Sequence, residues 1–158
     1  MKKIICCFFL LHFFACQEKS NNLSDLALLQ NKSLIFDLNN NMLEPNSLYG
    51  KKTIINYWAT WCGPCIKEMP EIENAQKKLS KIYNFVLVSD ENMDKILDFT
   101  TSTEFDLNFF KSKKSHEIAG VFSLPTSFVY DEKGKKIKTI IGVTKWDSEE
   151  IINQLKSL

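Results

Sequence analysis

The stretch Trp61-Cys62-Gly63-Pro64-Cys65 comes at the end of an apolar run, Thr53–Trp58. Two cysteines with two residues between them can close a small disulfide ring or open to a dithiol. Where a strand passes into a helix, the first cysteine lies at the helix N-terminus, whose partial positive charge favours a thiolate. The stretch therefore predicts a redox-active pair of cysteines and not a structural disulfide.

The N-terminal segment Ile4–Phe14 is apolar, follows two lysines and contains two of the chain's five cysteines. This pattern is typical of a signal peptide, and the segment is shorter than the about 20 apolar residues that span a bilayer. Its end, Phe13-Phe14-Ala15-Cys16, resembles the lipobox of bacterial lipoproteins, where cleavage precedes a cysteine that then carries the lipid. We expect a signal peptide at residues 1–15 and acylation of Cys16. The alternative is an uncleaved apolar N-terminus in which Cys16 is an ordinary residue.

Residues 16–32 are predicted to be a lipid-anchored tether, and residues 33–158 one domain with enough apolar content for a core. Within the tether, Ser24–Gln30 fits a short helix with Ser24 as its N-cap. The predicted strands are Leu34–Leu38, Thr53–Trp58, Phe85–Ser89, Ser127–Tyr130 and Lys135–Ile141, and the predicted helices are Pro64–Lys81, Asp94–Thr101, Lys113–Ala119 and Ser148–Leu155. Phe105–Phe110 fits neither pattern clearly. The alternation predicts an α/β fold in which helices cover both faces of a sheet.

The charge pattern argues against a nucleic-acid partner. The formal net charge is +1, and all twenty basic residues are lysines. Without arginine the chain lacks the side chain that binds phosphate through two parallel hydrogen bonds. Because the lysines are scattered among acids, we expect a solvated surface and no nucleic-acid-binding face.

Four blocks of sequence, in order, resemble the thioredoxin superfamily, and within it the membrane-anchored TlpA/ResA-type thiol-disulfide oxidoreductases, or redoxins. The blocks are 50–65, Glu68-Met69-Pro70, Gly120–Phe128, and Asp131–Lys135 with Gly142 beyond it. Together they span nearly all of residues 33–158. The resemblance implies a thioredoxin-like fold, with a central mixed β-sheet flanked by helices on both faces, and a redox-active disulfide between Cys62 and Cys65.

The two cysteines are expected to have different roles. Cys62, at the exposed start of the helix, attacks a substrate disulfide and forms a mixed disulfide. Cys65, one helical turn inward, then attacks Cys62 and releases the reduced substrate. Gly63 and Pro64 shape the ring between them, and the resemblance implies that they also tune its reduction potential.

Further residues are expected to support this pair. The resemblance implies that Pro125 is cis, although a trans bond is the rule for an arbitrary proline. A cis bond there would place the Leu124 backbone beside Cys62, ready to pair with an extended substrate. Trp61 is expected to pack beside the active site.

The proton acceptor for Cys65 is less obvious. Asn56 matches the position where thioredoxin itself has a buried acid, and Asn cannot titrate; TlpA/ResA-type members commonly have Asn there too. Glu68 lies three residues after Cys65 on the same predicted helix and is therefore near its face. It is the candidate acceptor, and the alternative is a solvent-exposed helix carboxylate. ResA-type members carry a Glu between the cysteines, where this chain has Gly63-Pro64, so no role of that Glu is expected here.

The resemblance implies a thiol-disulfide oxidoreductase on the periplasmic side of a bacterial membrane. A reductase is favoured, for example one that keeps the haem-binding cysteines of cytochrome c reduced. Its expected partners are protein disulfides and a membrane dithiol electron donor, with no cofactor. The same residues would serve a disulfide-donating oxidase or isomerase, and a non-catalytic binding module with a closed disulfide is a third possibility.

Metal binding is disfavoured because the chain has too few candidate ligands. Zinc takes four Cys or His ligands, or three and a water. Beyond the predicted signal peptide and Cys16, the chain offers two cysteines and the distant His116. Because His116 lies in a stretch rich in Lys and Ser, we expect it to be a solvated surface residue.

Overall fold

Six strands form one mixed sheet in the computed structural model of the protein, which describes residues 24–158. The strands are β1 (Ile35–Asp37), β2 (Lys52–Tyr57), β3 (Tyr83–Ser89), β4 (Phe109–Ser112), β5 (Thr126–Tyr130) and β6 (Lys136–Ile141). They lie in the order β1-β4-β3-β2-β5-β6. The pairs β2–β3 and β3–β4 are parallel, and the other three are antiparallel. The thioredoxin-like mixed sheet is thus confirmed.

Helices cover both faces of this sheet. They are α1 (Asp25–Ser33), α2 (Gly63–Leu79), α3 (Met93–Thr101) and α4 (Glu149–Ser157), with short 3₁₀ segments at Pro45–Leu48 and His116–Ala119. Helices α2 and α3 connect parallel strands that follow one another across the sheet, so right-handed crossovers bring them to the same face. Buried residues of α4 join that same cluster, whereas α1 covers the opposite face.

The central strand β2 divides two hydrophobic clusters. Ile54 faces the side of α2, α3 and α4, and its neighbour Ile55 faces the side of α1. Successive side chains of a strand point to opposite faces, and both faces of this strand are covered. This is why the run from Thr53 to Trp58 is mostly apolar and does not alternate between buried and exposed residues, and its amide, Asn56, is buried as well.

The segment that fits neither pattern in the sequence contains the start of β4. Phe109 is buried, and β4 pairs in parallel with β3 and antiparallel with β1. Upstream of it, Phe105 stacks on Phe99 of α3 and packs against the core without joining the sheet. The predicted helix Lys113–Ala119 is also shorter than expected, since only the 3₁₀ segment His116–Ala119 forms.

Helix α1 is part of the folded domain. Ser24 is its N-cap, as predicted, and accepts a hydrogen bond from the N–H of Ala27 at 3.2 Å. The carboxylate of Asp25 accepts from the N–H of Lys136 at 2.8 Å, and the N–H of Leu26 donates to the carbonyl of Gly134 at 2.9 Å. The predicted tether at 16–32 is therefore wrong from residue 24 onward, because these bonds fix α1 to the β5–β6 hairpin.

The predictions for residues 1–15 and Cys16 lie outside the described residues. Within residues 24–158, no helix combines the length and the apolar composition that crossing a bilayer requires.

The turn between β5 and β6 needs a glycine for two reasons. Gly134 has a φ of +76°, which disfavours any residue with a Cβ. A Cβ there would lie 2.8 Å from Cε1 of Tyr49 and 3.0 Å from Oγ of Ser24. Tyr49 and the start of α1 therefore lie close enough to this turn to exclude a methyl group.

We expect Gly134→Ala to lower the free energy of unfolding by about 2–4 kcal/mol, from a left-handed backbone and an overpacked contact together. Gly50→Ala is the matched control, since Gly50 has a φ of +87° and open space where a Cβ would lie. That variant should lose only about 1–2 kcal/mol. Urea unfolding of both proteins measures the difference, and equal losses would show that α1 does not press on this turn.

Candidate active site

The two cysteines form a disulfide at the start of α2. Cys62 and Cys65 are joined, with their Cα atoms 5.3 Å apart. Cys62 is the N-cap residue, and its Sγ accepts a hydrogen bond from the N–H of Cys65 at 3.3 Å. Pro64 occupies the first turn, where its missing N–H leaves no helical hydrogen bond unmade. The free N–H groups and the helix dipole therefore point at the sulfur that is to carry negative charge.

Both cysteines are shielded in this disulfide form. Cys62 is 4% exposed and Cys65 is 1% exposed. The expected open exposure of Cys62 is therefore wrong for the oxidised protein, because its sulfur turns back over the first turn of α2. As expected, Cys65 is the more deeply buried of the two cysteines.

The loop before β5 lies at the same end of the sheet as the disulfide. The Leu124–Pro125 peptide bond is cis, as predicted. Thr126, directly after it, pairs with Tyr57 at the end of β2, from which the chain leads on to Cys62. Within the described residues, neither the N–H nor the C=O of Leu124 takes part in a hydrogen bond. The backbone of Leu124 is thus free beside the active-site end of the sheet.

Apolar side chains exposed to solvent surround this end. Trp61 is 72% exposed and Phe122 is 83% exposed. Ile141 and Val143 are exposed as well, and Gly142 between them donates a hydrogen bond to the carbonyl of Pro125 at 2.8 Å. Trp61 lies next to Cys62, as expected, with most of its ring in solvent. Exposed apolar side chains gathered at one end of a domain are typical of a binding site.

Glu68 is buried beneath the active site. Its side chain faces inward from α2 and is 2% exposed, so the alternative of a solvent-exposed carboxylate is wrong. Oε1 accepts a hydrogen bond from Nδ2 of Asn56 at 3.0 Å, and Oε2 accepts one from the N–H of Thr144 at 3.1 Å. Nδ2 of Asn56 also donates to Oγ of Ser127 at 3.0 Å. The network thus joins α2, β2, β5 and the loop after β6.

Burial raises the pKa of the Glu68 carboxyl above its ordinary value. The hydrogen bonds from the backbone of Thr144 and from Asn56 oppose this shift. The indole N–H of Trp146 adds a smaller opposing effect, without the geometry of a full hydrogen bond. Glu68 is therefore a buried group that can take up a proton more readily than an exposed glutamate.

The loop that carries the cysteines is held by a residue that the sequence did not single out. The carboxylate of Glu91 accepts hydrogen bonds from the N–H of Thr60 at 2.6 Å and from its hydroxyl at 2.8 Å. Glu91 follows the end of β3, which lies beside the end of β2 in the parallel pair. The sequence does carry a signal for this role, because Glu91 comes just after a predicted strand and the carboxyl ends of adjacent parallel strands meet at one edge of the sheet.

His116 is buried, so the prediction of a solvated histidine is wrong. Its side chain packs edge-on against Tyr57, with ring centroids 5.3 Å apart, and the residue is 6% exposed. Its backbone N–H donates to Oδ2 of Asp90 at 3.0 Å, and its Nε2 lies 3.7 Å from Oδ1 of the same residue. Burial lowers the pKa of His116, and the nearby Asp90 charge opposes that shift. The polar neighbours in the sequence are misleading because the 3₁₀ segment turns this one side chain inward.

The part of the chain that the structure describes forms no metal centre. Within residues 24–158, no three side chains of His, Cys, Asp or Glu lie close enough together to hold one ion.

Comparison with known proteins agrees with this geometry. The family model for Redoxin matches residues 29–155. The thiol-disulfide oxidoreductase ResA of a Bacillus cereus strain is 34% identical over 113 residues, which cover 69% of this chain and 65% of that protein. ResA of Bacillus thuringiensis (strain Al Hakam) is 32% identical over 129 residues, covering 79% of this chain and 73% of that protein.

A solved structure shares the fold. The exposed lipoprotein thioredoxin Etrx1 of Streptococcus pneumoniae strain TIGR4 has a TM-score of 0.69 at 22% identity, covering 78% of this chain and 97% of that chain. At this identity the likeness shows the fold alone.

Fold and site together define a thioredoxin-like thiol-disulfide oxidoreductase, because a disulfide caps the helix that follows the central strand and homologues carry that name. The chain belongs to the Redoxin family.

The raised pKa of Glu68 makes stability depend on pH. Above the ordinary pKa of 4.5, the unfolded chain has lost this proton while the folded protein still holds it. The free energy of unfolding therefore falls as pH rises from 4.5 through the raised pKa. We expect Glu68→Gln to remove that fall, since the amide does not titrate.

Urea unfolding of the oxidised protein at a series of pH values from 4.5 to about 8 measures this slope. The difference between wild type and variant isolates Glu68 from His116, whose lowered pKa acts in the opposite direction. Glu104→Gln, at an exposed carboxylate, controls for the loss of one acid. Parallel curves for wild type and Glu68→Gln would contradict the assignment.

Proposed function

We propose that this protein reduces disulfides of other proteins on the periplasmic side of a bacterial membrane. The observation that carries the proposal is the placement of Cys62 as N-cap of α2, at the same end of the sheet as the Leu124 backbone, which is unpaired within residues 24–158. Its homologues named ResA favour the same chemistry. A role in cytochrome c maturation, in which the haem-binding cysteines must be reduced, is part of the proposal.

The first step is attack by the reduced protein. The Cys62 thiolate, stabilised by the helix N-terminus, attacks one sulfur of the substrate disulfide. The substrate S–S bond breaks, a mixed disulfide forms, and the other substrate sulfur leaves as a thiolate and takes a proton. The free N–H and C=O of Leu124 are available to pair with the extended substrate backbone, and the apolar ring of Trp61 to cover it.

The second step requires a thiolate at Cys65. The Cys65 sulfur attacks Cys62, the intramolecular disulfide forms, and the substrate leaves with two electrons gained in all. Glu68 is the proposed acceptor for the proton of Cys65, because it is a buried carboxylate three residues further along the same helix, with a raised pKa. Asn56 is proposed to position it through the hydrogen bond to Oε1.

Reduction must be sustained by an outside source of electrons. The described chain carries one redox pair, so each turnover leaves Cys62 and Cys65 oxidised. A membrane protein with a dithiol is the proposed donor, since thiol-disulfide exchange with it needs no cofactor. A disulfide-donating oxidase or isomerase would use the same residues with electrons flowing the other way.

Attachment to the membrane is proposed to occur through Cys16. The segment before it has the pattern of a lipoprotein signal peptide. Etrx1, whose structure shares this fold, is itself named an exposed lipoprotein. After cleavage, residues 17–23 would lie between the lipid and the folded domain.

Insulin reduction in the presence of dithiothreitol tests the activity. We expect the wild type to accelerate it and Cys62→Ser to abolish the acceleration, since no mixed disulfide can form. Glu68→Gln should keep the activity at high pH and lose it several-fold near neutral pH, where Cys65 depends on its acceptor. Equal rates for wild type and Cys62→Ser would support a non-catalytic binding module.

Equilibration with glutathione buffers of set ratio decides the direction of electron flow. A reductase is expected to have a potential closer to about −270 mV than to about −120 mV, the range from strong reductants to strong oxidants of this chemistry. A value at the oxidising end would favour the oxidase. In cells, a Cys65→Ser variant should retain substrates as mixed disulfides on Cys62 and so reveal their identity.

Lipid attachment is tested by labelling cells with a radioactive fatty acid. We expect the full-length protein to take up label and to fractionate with membranes. Cys16→Ala should lose both properties and leave Cys62 chemistry intact. Cys7→Ala, within the predicted signal peptide, is the control, and label that survives Cys16→Ala would contradict the proposal.

A further inference from the structure

A small cavity opens beside the redox pair on the side of the cis-proline loop. It measures about 160 Å³ and is lined by Trp61 and Leu124, the residues directly before Cys62 and Pro125. Pockets for whole small-molecule ligands are typically about 300–1,000 Å³, so this one has room for a single side chain. A peptide that pairs with Leu124 while its cysteine meets Cys62 would pass along the cavity mouth.

The floor of the cavity carries a buried polar group without a partner. His116 is 94% buried, as its exposure of 6% shows, and it lines the cavity. Within the described residues, its Nε2 has no hydrogen-bond partner. A buried nitrogen without a partner is unfavourable, so a ligand that donates a hydrogen bond to it is favoured over one that does not. Since burial lowers the pKa of His116, its ring is neutral near pH 7 and one of its nitrogens can accept a hydrogen bond.

The charged residues of the lining are acidic, and its other polar residue is the neutral Ser123. Asp90 and Glu117 both contribute to the cavity wall, and no lysine does so among the described residues. Oδ1 of Asp90 lies 3.7 Å from Nε2 of His116, and because Nε2 is covered, a donor that binds both atoms must displace what lies over the imidazole.

A hydrogen bond from the side chain of Ser115 lowers the pKa of Glu117, which keeps that carboxylate charged. The charged groups that act on the imidazole are thus Asp90, Glu91 and Glu117, all acids. The ammonium of Lys111 donates to the backbone carbonyls of Asp90 and Glu91 and offsets part of their charge, but Lys111 does not line the cavity.

Apart from Ser123, the rest of the lining is apolar and aromatic. Val121 and Leu124 form one wall, and the exposed rings of Trp61 and Phe122 stand at the mouth. A long basic side chain can lay its methylene groups along apolar surface while its charge reaches a polar site. Aromatic ring faces also attract cations within about 6 Å. The acidic floor, the neutral imidazole acceptor and the aromatic mouth therefore all favour the same ligand, a long basic side chain.

We propose that this cavity binds a lysine or arginine side chain adjacent to the target cysteine of the substrate protein. The basic group donates hydrogen bonds to Nε2 of His116 and to the carboxylate of Asp90, and Glu117 adds attraction at the rim. This specificity rests on the proposed reduction of protein disulfides by Cys62. It makes His116 and Glu117 specificity-determining residues that take no part in the electron transfer.

Matched disulfide peptides test the cavity. Four peptides carry lysine, arginine, norleucine or glutamate next to one cysteine, and single-turnover reduction by the pre-reduced protein is followed by acid quench and mass spectrometry. We expect the lysine and arginine peptides to react about fivefold faster or more than the norleucine peptide, and the glutamate peptide to react more slowly than norleucine. The preference should shrink at 1 M salt, where charges are screened beyond about 3 Å.

Two variants locate the effect. Glu117→Lys, at an exposed position, should remove or reverse the preference for basic peptides, measured as the ratio of their rates to the rate of the norleucine peptide. His116→Phe retains a ring against Tyr57 but removes the acceptor, and should lower that same ratio for the lysine and arginine peptides. Glu104→Lys is the control, because it changes the net charge equally at an exposed acid that does not line the cavity.

The outcomes separate this inference from the function on which it rests. Equal rates for all four peptides, with insulin still reduced, would overturn the cavity assignment and leave the reductase intact. A preference that survives Glu117→Lys but disappears in Glu104→Lys would also overturn it, since the effect would then come from overall charge. Failure to reduce any peptide or insulin would refute both proposals together.

Discussion

The active-site end of the fold depends on the hydrogen bonds that the buried carboxylate of Glu68 accepts. It accepts hydrogen bonds from Asn56 on β2 and from the backbone of Thr144 after β6, and Asn56 in turn reaches Ser127 on β5. Each donor would cost about 1–3 kcal/mol if left buried without a partner. One side chain of α2 thereby fixes the helix, two strands and a loop to one another directly under the disulfide.

This arrangement gives the carboxylate two properties at once. As a hydrogen-bond acceptor it holds the elements together, which favours the charged form. As a buried group it has a raised pKa, because burial outweighs those hydrogen bonds. A polar network in the interior normally serves stability or specificity of folding alone. Here the same carboxylate is poised to exchange a proton near Cys65, which is why we place it in the proposed reaction.

A second set of polar residues controls the other side of the site. Glu91 holds the loop before the cysteines through both donors of Thr60, and Asp90 caps the segment that carries His116. The end of β3 therefore contributes two acids, one to the position of the redox loop and one to the cavity beside it. The proposed proton transfer and thiol-disulfide exchange involve residues of α2, whereas the proposed choice of substrate involves the residues that follow β3.

Most of the fold could be predicted from the sequence because its signals are local. The apolar run of β2 indicates a strand covered on both faces, Pro64 indicates the first turn of a helix, and Ser24 indicates an N-cap. Strand β4 was not predictable in this way: it is short, its phenylalanines suit a helix face as well as a sheet, and only pairing with β3 decides. The tether was misjudged for a similar reason, since the bonds that fix α1 come from the distant β5–β6 hairpin.

The sequence by itself determined the chemistry of this protein. The spacing of Cys62 and Cys65 sets the size of the disulfide ring, and their position at the start of a helix favours the thiolate, both local properties. The tertiary structure alone decided how the other polar side chains are used. Whether Glu68 and His116 are exposed or buried depends on which strands and loops close over them. Burial is a property of the packed fold, and it changes the pKa of each group in a direction that no local pattern reveals.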